Sequence, residues 1–317
     1  MKNNQVSLEQ VLDAYEKIKN AVRVTPLTAF ECGNGCELFL KREDLQETGA
    51  YKLRGAHNLV SRLSRKEKAR GVVCASTGNH ALGVVHACSL ARTGCVVFMP
   101  ENTSPEKIAK AKAYSGRLAG VELLGKDFDE SSKIARDYAK EKGMVFVHPF
   151  DDARVISGQG TIAVELMKQL DEKGKTPDYV FAPVGGGGLI TGIGAYIKAV
   201  SPKTNIVSVE PDGSTCLFEA VKHNERVVID SADTFVDAVA VKQAGKIAFE
   251  NSRRIINMYA VVPVNTVRYA CSVLEKSGIY AEPAGALAFS ALYTPSFLDS
   301  FEGKTVVCIV SGGNVKK

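Results

Sequence analysis

The sequence predicts an α/β protein with two doubly wound parallel sheets, each covered by helices on both faces. Eight short apolar runs support this prediction, because most are β-branched, are bounded by glycine, proline or polar residues, and are separated by helix-length segments. Continuous apolar strands between helices are typical of parallel sheets that are buried on both faces. The chain has 317 residues, and at a typical ~150 residues per domain this length also favours about two domains.

The elements can be predicted in chain order. Ser7 and Gln10 have the spacing of a capping box, and the apolar residues that follow recur at helical spacing, so a first helix is expected before Pro26. The predicted strands are residues 38–40, 71–75, 96–99, 145–147, 180–183, 206–209, 259–264 and 306–310.

The composition excludes several classes of protein. Hydrophobic residues make up 45% and charged residues 24% of the chain, a balance that is too apolar for a disordered protein. No stretch approaches the ~18 consecutive apolar residues that a membrane-spanning helix needs. The first residues lack the apolar core of a secretory signal. We therefore expect a cytoplasmic protein without a membrane partner.

The charge of the chain does not predict a nucleic-acid partner. The net charge is +5, from 40 basic and 35 acidic residues. The densest basic run, residues 62–70, also contains Glu67 and has no interleaved aromatic residue. This pattern is typical of a solvated helix face.

Eight cysteines are too few for a disulfide scaffold. Cys32 and Cys36 flank a Gly-Asn-Gly turn, but no second pair follows at zinc spacing, so we predict no metal there. The cysteines expected to be small buried hydrophobic residues are Cys74, Cys88, Cys95, Cys271 and Cys308.

A tract of four glycines follows a predicted strand and precedes a predicted helix at residues 189–199. Consecutive glycines let the backbone wrap closely around a ligand, and the helix N-terminus adds partial positive charge. The tract has neither the G-x-G-x-x-G spacing nor the Gly-Lys-Ser/Thr of a P-loop. We expect it to bind a phosphate group rather than to form a surface turn. Its residues are Gly185, Gly186, Gly187 and Gly188.

Three other loops contain residue types that bind or react with small molecules. Lys52 follows Tyr51 at the start of a predicted helix, and a lysine near apolar and cationic neighbours can form a Schiff base. Residues 76–80 lie between a strand and a helix, where hydroxyl, amide and N–H groups suit a carboxylate, although ordinary N-capping is an alternative. The last strand ends at Ser311, before two glycines, which suits a flat ligand or a plain turn.

In this order and spacing, the four loops resemble those of the fold-type II pyridoxal-phosphate enzymes, which have the tryptophan synthase β-like fold. The resemblance is to the threonine/serine dehydratase and serine racemase group, and it extends from Thr25-Pro26-Leu27 to Ser311-Gly312-Gly313-Asn314. It implies a pyridoxal 5'-phosphate ammonia-lyase. The implied reaction converts L-threonine, L-serine or both to 2-oxobutanoate or pyruvate, with release of ammonia.

The resemblance also implies roles for individual residues. Lys52 would hold the cofactor as a Schiff base and act as the general base, and Thr77 is a second catalytic candidate. The implied cofactor-binding residues are Tyr51, Lys52, Asn79, Gly185, Gly186, Gly187, Gly188, Leu189, Glu282 and Ser311. The implied substrate-binding residues are Ser76, Thr77, Gly78, Asn79 and His80.

Three alternatives remain open. Racemases of this group have a serine that acts as acid and base at the position of Thr77, and threonine retains the hydroxyl. A lyase for another β-hydroxy amino acid, such as hydroxyaspartate, would share the scaffold. The third alternative is a non-catalytic module that binds a cofactor or phosphate.

The family's divalent-cation site is not expected in this chain. Glu210 and Ser214 match it, but Cys216 occupies the position of an aspartate, and hard cations prefer oxygen ligands.

The family layout implies a large cofactor-binding domain of residues 1–68 and 149–317 and a small mobile domain of residues 69–148, with the cofactor in the cleft between them. It also implies a homodimer or homotetramer. Because the sequence ends three residues after Asn314, the regulatory domain of biosynthetic threonine deaminases is expected to be absent.

Overall fold

The computed structural model describes residues 5–31, 35–115, 118–230, 235–297 and 301–315, and these contain two open sheets. The larger sheet has the strand order β1-β2-β10-β7-β8-β9, and only the pair β1 and β2 is antiparallel. Its strands are β1 (Leu27–Phe30), β2 (Glu37–Arg42), β7 (Tyr179–Pro183), β8 (Asn205–Pro211), β9 (Met258–Val262) and β10 (Thr305–Val310).

The smaller sheet is parallel throughout and has the order β5-β4-β3-β6. Its strands are β3 (Val72–Ala75), β4 (Cys95–Met99), β5 (Ala119–Leu123) and β6 (Val145–Phe146). All four lie within the predicted small domain, residues 69–148.

Helices connect the strands and cover the sheets. The helices up to β6 are α1 (Leu8–Ile18), α2 (Lys52–Ser61), α3 (Arg65–Arg70), α4 (Asn79–Ala91), α5 (Pro105–Ser115) and α6 (Phe128–Lys142). The later helices are α7 (Ala153–Asp171), α8 (Gly188–Val200), α9 (Cys216–His223), α10 (Lys246–Ile255), α11 (Val264–Lys276) and α12 (Pro283–Ser290). Among the described residues, none of these helices is both long and apolar enough to span a bilayer.

The predicted fold class is confirmed, and each of the eight predicted strands overlaps an observed one. Strands β1 and β5 were not predicted. Both lie at a sheet edge and are partly exposed, and β5 reads Ala-Gly-Val-Glu-Leu. Neither has the continuous apolar run that identifies a strand buried on both faces.

The predicted features of the first helices are also confirmed. The Ser7 Oγ accepts a hydrogen bond from the Gln10 N–H at 3.3 Å, and the Gln10 side chain accepts one from the Ser7 N–H at 3.0 Å. This capping box starts α1. In the basic run, α3 has no buried residue, as expected for a solvated face.

Helix α2 lies between the two sheets. Its residues Ala56, Leu59 and Val60 belong to a hydrophobic cluster that contains β3 residues and residues of α4. The same helix packs against α7, which covers the larger sheet. The first residue of α2 is therefore held at the border of the two sheets, and the exact domain boundary at residue 68 stays a prediction.

The cysteines mostly follow the expected burial. Four of the five expected core cysteines are buried, but Cys271 on α11 is only half-buried. It lies one position beyond Ala270, which faces the core, so its side chain is rotated towards the helix flank. Cys36 is half-buried, and Cys32 lies outside the described residues.

Candidate active site

The candidate site lies where the carboxyl ends of three strands meet. The glycine tract follows β7 and Ser311 follows the neighbouring β10, while residues 76–80 follow β3 of the smaller sheet. Open α/β sheets bind ligands outside the carboxyl ends of their strands. A cleft lies there, lined by residues of the glycine tract and by Ser311.

The residues predicted to bind the cofactor all line this cleft. They are joined by Phe150 and by residues of the segment around Ala238 and Val239. The predicted residues that line it are Tyr51, Lys52, Asn79, Gly185, Gly186, Gly187, Gly188, Leu189, Glu282 and Ser311.

A second, wider cleft adjoins the first and shares Lys52, Asn79 and Glu282 with it. The predicted substrate loop, Ser76, Thr77, Gly78, Asn79 and His80, lines this wider cleft. The lysine is therefore accessible from both spaces.

Lys52 is the first residue of α2, and its side chain is half-buried. The preceding Tyr51 N–H donates to the Ser311 carbonyl at 3.1 Å, which fixes the start of the helix to the end of β10. The Lys52 Nζ donates to the Pro149 carbonyl at 3.0 Å and lies 5.2 Å from the Tyr51 ring centroid. No carboxylate of the described residues pairs with this amine, so it has capacity for a ligand.

The glycine tract connects β7 to α8, which begins one residue before the predicted helix. Gly187 has a φ of +85°, a conformation that favours glycine. A Cβ on Gly186 would lie 2.3 Å from the Phe150 ring. Phe150 and the backbone conformation therefore require glycine here.

The N–H groups of this tract suit an anion. Within the described residues, the N–H groups of Gly185, Gly186 and Gly187 donate no hydrogen bond to the protein. The first N–H groups of α8 have no acceptor within the helix. Unsatisfied N–H groups at a helix N-terminus favour a phosphate, so the tract fits the phosphate of the implied cofactor.

Three polar side chains also line the first cleft. The buried Ser311 Oγ donates to the Ala284 carbonyl at 3.1 Å, and the Asn79 Nδ2 donates to Glu282 Oε1 at 2.5 Å. Burial raises the pKa of Glu282 to about 7, against the opposing effect of the Asn79 hydrogen bond. These side chains can therefore offer a hydroxyl, an amide and a carboxyl group to a polar ring.

The substrate loop presents main-chain N–H groups at the start of α4. Gly78 donates its N–H to the Ser76 Oγ at 3.1 Å, whereas the Thr77 hydroxyl makes no hydrogen bond to another described residue. The N–H groups of Asn79 and His80 lie in the first turn of α4, where no acceptor exists within the helix. This arrangement is suited to a carboxylate.

His80 differs from its neighbours in this loop. Its Nε2 lies 2.9 Å from the Val147 carbonyl and so carries the hydrogen, and its buried Nδ1 has no partner. Burial, together with the charge of Lys52, lowers the His80 pKa to about 3. The ring is therefore neutral, and only the backbone N–H of His80 is available as a donor to a carboxylate.

The residues that match the family's cation site are engaged within the protein. Glu210 accepts the N–H groups of Leu217 and Phe218 at 2.9 and 2.8 Å, and so caps the start of α9. The Cys216 Sγ lies 3.4 Å from the Gly185 carbonyl. Among the described residues, no group of three or more His, Cys, Asp or Glu side chains could hold a metal ion.

Comparison with known proteins decides the family. A family model described as "Pyridoxal-phosphate dependent enzyme" matches residues 18–312. The chain belongs to this family. Its members use pyridoxal phosphate, and the chemistry of the cleft fits that cofactor.

Individual relatives narrow the comparison. The biosynthetic L-threonine dehydratase IlvA of Staphylococcus epidermidis is 41% identical over 318 residues, which cover 98% of this chain and 74% of that protein. The processed form of threonine deaminase isoform 2 from Solanum lycopersicum has a TM-score of 0.91 and 34% identity, over 97% of this chain and 84% of that one. Maize serine racemase has a TM-score of 0.91 and 28% identity, over 98% and 94% of the two chains.

Some residues of the site were not predicted. Pro149 supplies the acceptor for Lys52, and Phe150 packs on the glycine tract, but neither lies in a motif with a chemical signature. Asn314 belongs to the Ser-Gly-Gly-Asn motif at the end of the last strand, but no role was predicted for it. Its Nδ2 donates to the Asn79 Oδ1 at 2.6 Å.

Proposed function

We propose that this protein uses pyridoxal 5'-phosphate to dehydrate and deaminate L-threonine, L-serine or both, giving a 2-oxo acid and ammonia. The convergence of Lys52, the glycine tract and the N–H-rich substrate loop on two adjoining clefts carries this proposal. The similarity to a threonine dehydratase and a threonine deaminase supports threonine as a substrate.

The residues of the first cleft would hold the cofactor. The N–H groups of the tract from Gly185 to Leu189 would bind its phosphate, Asn79 its ring hydroxyl and Ser311 its ring nitrogen. Bound pyridoxal phosphate acts as an electron sink that acidifies the Cα hydrogen of an attached amino acid. Because Ser311 is neutral, it would stabilise a protonated ring nitrogen less than an aspartate would.

Lys52 would bind the cofactor aldehyde and then remove the Cα proton as general base. Its amine has a single neutral acceptor, the Pro149 carbonyl, and no carboxylate partner among the described residues, so it is not held in an ion pair. Tyr51 and Phe150 would exclude water from one side of the amine.

The substrate carboxylate would bind to the loop of residues 76–80. The hydroxyls of Ser76 and Thr77 and the N–H groups of Asn79 and His80 would donate to its oxygens. A carboxylate fixed there would hold Cα within reach of the Lys52 Nζ, because both groups line the same wider cleft.

An amino-acid racemase is the second candidate function. The observation that favours it is the Thr77 hydroxyl, which lines the cleft shared with Lys52 and makes no hydrogen bond to another described residue. A hydroxyl on the face opposite Lys52 could return a proton to Cα and invert its configuration. The similarity to maize serine racemase is consistent with this activity.

The domain division and the assembly belong to the same proposal. Residues 69–148 contain every strand of the smaller sheet, which supports a separate small domain. A cytoplasmic homodimer or homotetramer stays a prediction, and light scattering after size-exclusion chromatography tests the assembly.

The experiment is a spectrum of the purified protein with pyridoxal phosphate, recorded before and after adding L-threonine or L-serine, while 2-oxo acid is measured in the same sample. We expect a visible band that shifts with substrate and 2-oxo acid that accumulates. Formation of the D-amino acid, measured by chiral chromatography, would reveal the racemase. A protein that stays colourless with pyridoxal phosphate would contradict the proposal.

A further inference from the structure

A chain of hydrogen-bonded side chains leads from the protein surface to the candidate cofactor site. The Lys110 Nζ, on α5, donates to the Asn314 Oδ1 at 2.6 Å. The Asn314 Nδ2 donates to the Asn79 Oδ1 at 2.6 Å, and the Asn79 Nδ2 donates to Glu282 at 2.5 Å. The chain connects α5, the end of β10, the start of α4 and the residue that precedes α12.

The chemistry of the two ends fixes which atom of each amide faces which neighbour. An ammonium group only donates, so the atom of Asn314 that faces Lys110 must be its oxygen. A carbonyl only accepts, and the Asn314 Nδ2 also donates to the Thr48 carbonyl at 2.8 Å. With Asn314 fixed from both sides, Asn79 must turn its oxygen towards Asn314 and its NH₂ towards the cleft.

The backbone holds Asn314 tightly in this position. The Gly313 N–H donates to the Gly49 carbonyl at 2.9 Å, beside a bridge between Ala50 and Gly312. Gly49 has a φ of +73°, and a Cβ there would lie 2.5 Å from the Asn314 Oδ1. A side chain at position 49 would therefore clash with the Asn314 amide.

We propose that Asn314 is a positioning residue that orients the Asn79 amide, so that its NH₂ group and not its oxygen faces the cofactor ring, and that Lys110 supports this orientation from the surface. The inference rests on the proposed function, since Asn79 is there assigned to the ring hydroxyl. An N–H donor stabilises the anionic form of that oxygen, whereas an amide oxygen would repel it.

The decisive variant is Asn314→Asp, which keeps the shape and an acceptor for Lys110 but removes the donor. Asn79 then gains a hydrogen bond only by turning its NH₂ towards Asp, which places its oxygen at the ring. We expect apoprotein affinity for pyridoxal phosphate to fall about tenfold or more, the effect of one lost hydrogen bond to a charged group. We also expect the visible band to lose intensity in favour of the form with a protonated ring oxygen.

Lys110→Met should have a smaller effect, about threefold on the affinity, because Lys110 is exposed and the Thr48 carbonyl still fixes Asn314. Lys110→Arg should keep the wild-type affinity, because the arginine side chain is also only a hydrogen-bond donor. The matched control is Lys112→Met, an exposed lysine of the same helix that should leave affinity and spectrum unchanged.

The outcomes separate this inference from the proposed function. If the wild-type protein binds no pyridoxal phosphate, the proposed function fails. If the wild type binds it and Asn314→Asp has the same affinity and band ratio, the positioning role is wrong. An equal fall with Lys107→Met, whose Nζ lies 3.5 Å from the Asp237 carboxylate across the same cleft, would assign the effect of Lys110 to the docking of α5 instead.

Discussion

Lys52 and Arg54 are two residues apart on α2, and their surroundings are opposite in kind. Arg54 is completely buried and makes four hydrogen bonds to Glu43 and Glu165, between 2.7 and 2.9 Å long. Lys52 is half-buried and has one carbonyl acceptor. The side of α2 that carries Arg54, here called the closed side, has its hydrogen bonds satisfied within the protein. The side that carries Lys52, the open side, has N–H donors that remain available to a ligand.

The buried cluster is balanced in charge as well as in hydrogen bonds. Lys41 donates to Glu165 at 2.8 Å, so two cations face two carboxylates. Although burial opposes its ionisation, the nearby Arg54 and Lys41 lower the pKa of Glu165. This cluster ties β2, α2 and α7 together, and it thereby fixes the helix that carries Lys52. Side chains whose hydrogen bonds are satisfied within the protein support the helix, and groups whose hydrogen-bonding capacity is unused are available to bind a ligand.

Replacing Lys52 should produce the largest effect of all. The effect should be on activity and not on stability. Lys52→Ala removes both the cofactor-binding amine and the general base, so 2-oxo acid formation should fall by at least about 10³-fold. The free energy of unfolding of the apoprotein should change by less than about 0.5 kcal/mol, because a half-buried side chain with one hydrogen bond is lost. Steady-state kinetics and urea denaturation measure the two quantities. Retained activity would disprove the role of Lys52.

Arg54→Met should instead lower the free energy of unfolding. It leaves Glu43 and Glu165 buried with one cation between them, and removing one partner of a buried ion pair costs about 3–5 kcal/mol. Urea denaturation of the apoprotein measures this loss. Arg62→Met is the control, because the ion pair of Arg62 with Asp13 is partly exposed and should contribute less than about 1 kcal/mol. Similar losses in both variants would show that burial of the cluster is unimportant.

The sequence predicted the open side of α2 better than the closed side. Glycines in a row, a lysine after an aromatic residue and a serine before two glycines are local patterns, and each lies at the end of an apolar strand. The buried cluster joins Lys41, Arg54 and Glu165, which are separated by up to 124 residues. No local pattern predicts such a contact, because it depends on how β2, α2 and α7 pack.

The same limit explains what was missed around the site. The Pro149 carbonyl could not be assigned to Lys52 from sequence, since any main-chain carbonyl is a chemically equivalent acceptor. The roles of the glycines were predicted from the N–H groups, but their contact with Phe150 depends on packing. His80 was predicted to help bind the substrate, but the contact of its imidazole with the Val147 carbonyl depends on the neighbouring β6 segment.

Gly186→Ala should weaken cofactor binding without the loss of a reactive group. Its Cβ would lie 2.3 Å from the Phe150 ring, so either the ring or the tract must move. Such overpacking costs about 1–3 kcal/mol, which corresponds to a fall of about 5- to 150-fold in affinity for pyridoxal phosphate. Titration of the apoprotein measures it. The control is Gly120→Ala, where a Cβ meets no atom within 4 Å, and an equal loss there would refute the packing argument.

The smallest effect concerns Glu282, a carboxyl on the open side that is in direct contact with no cation of the described residues. Burial raises its pKa from the ordinary 4.5 to about 7. Between these values the folded state holds a proton that the unfolded state has lost, so its contribution to stability is complete below pH 4.5 and is lost as the pH rises through about 7.

Glu282→Gln cannot titrate. As the pH falls from about 7 to about 5, the wild-type apoprotein should therefore gain about 1–2 kcal/mol relative to the variant. Urea denaturation at each pH tests this, and a difference that stays constant with pH would mean that Glu282 is ionised in the folded protein. The contrast between the two sides of α2 would then rest on hydrogen bonding alone.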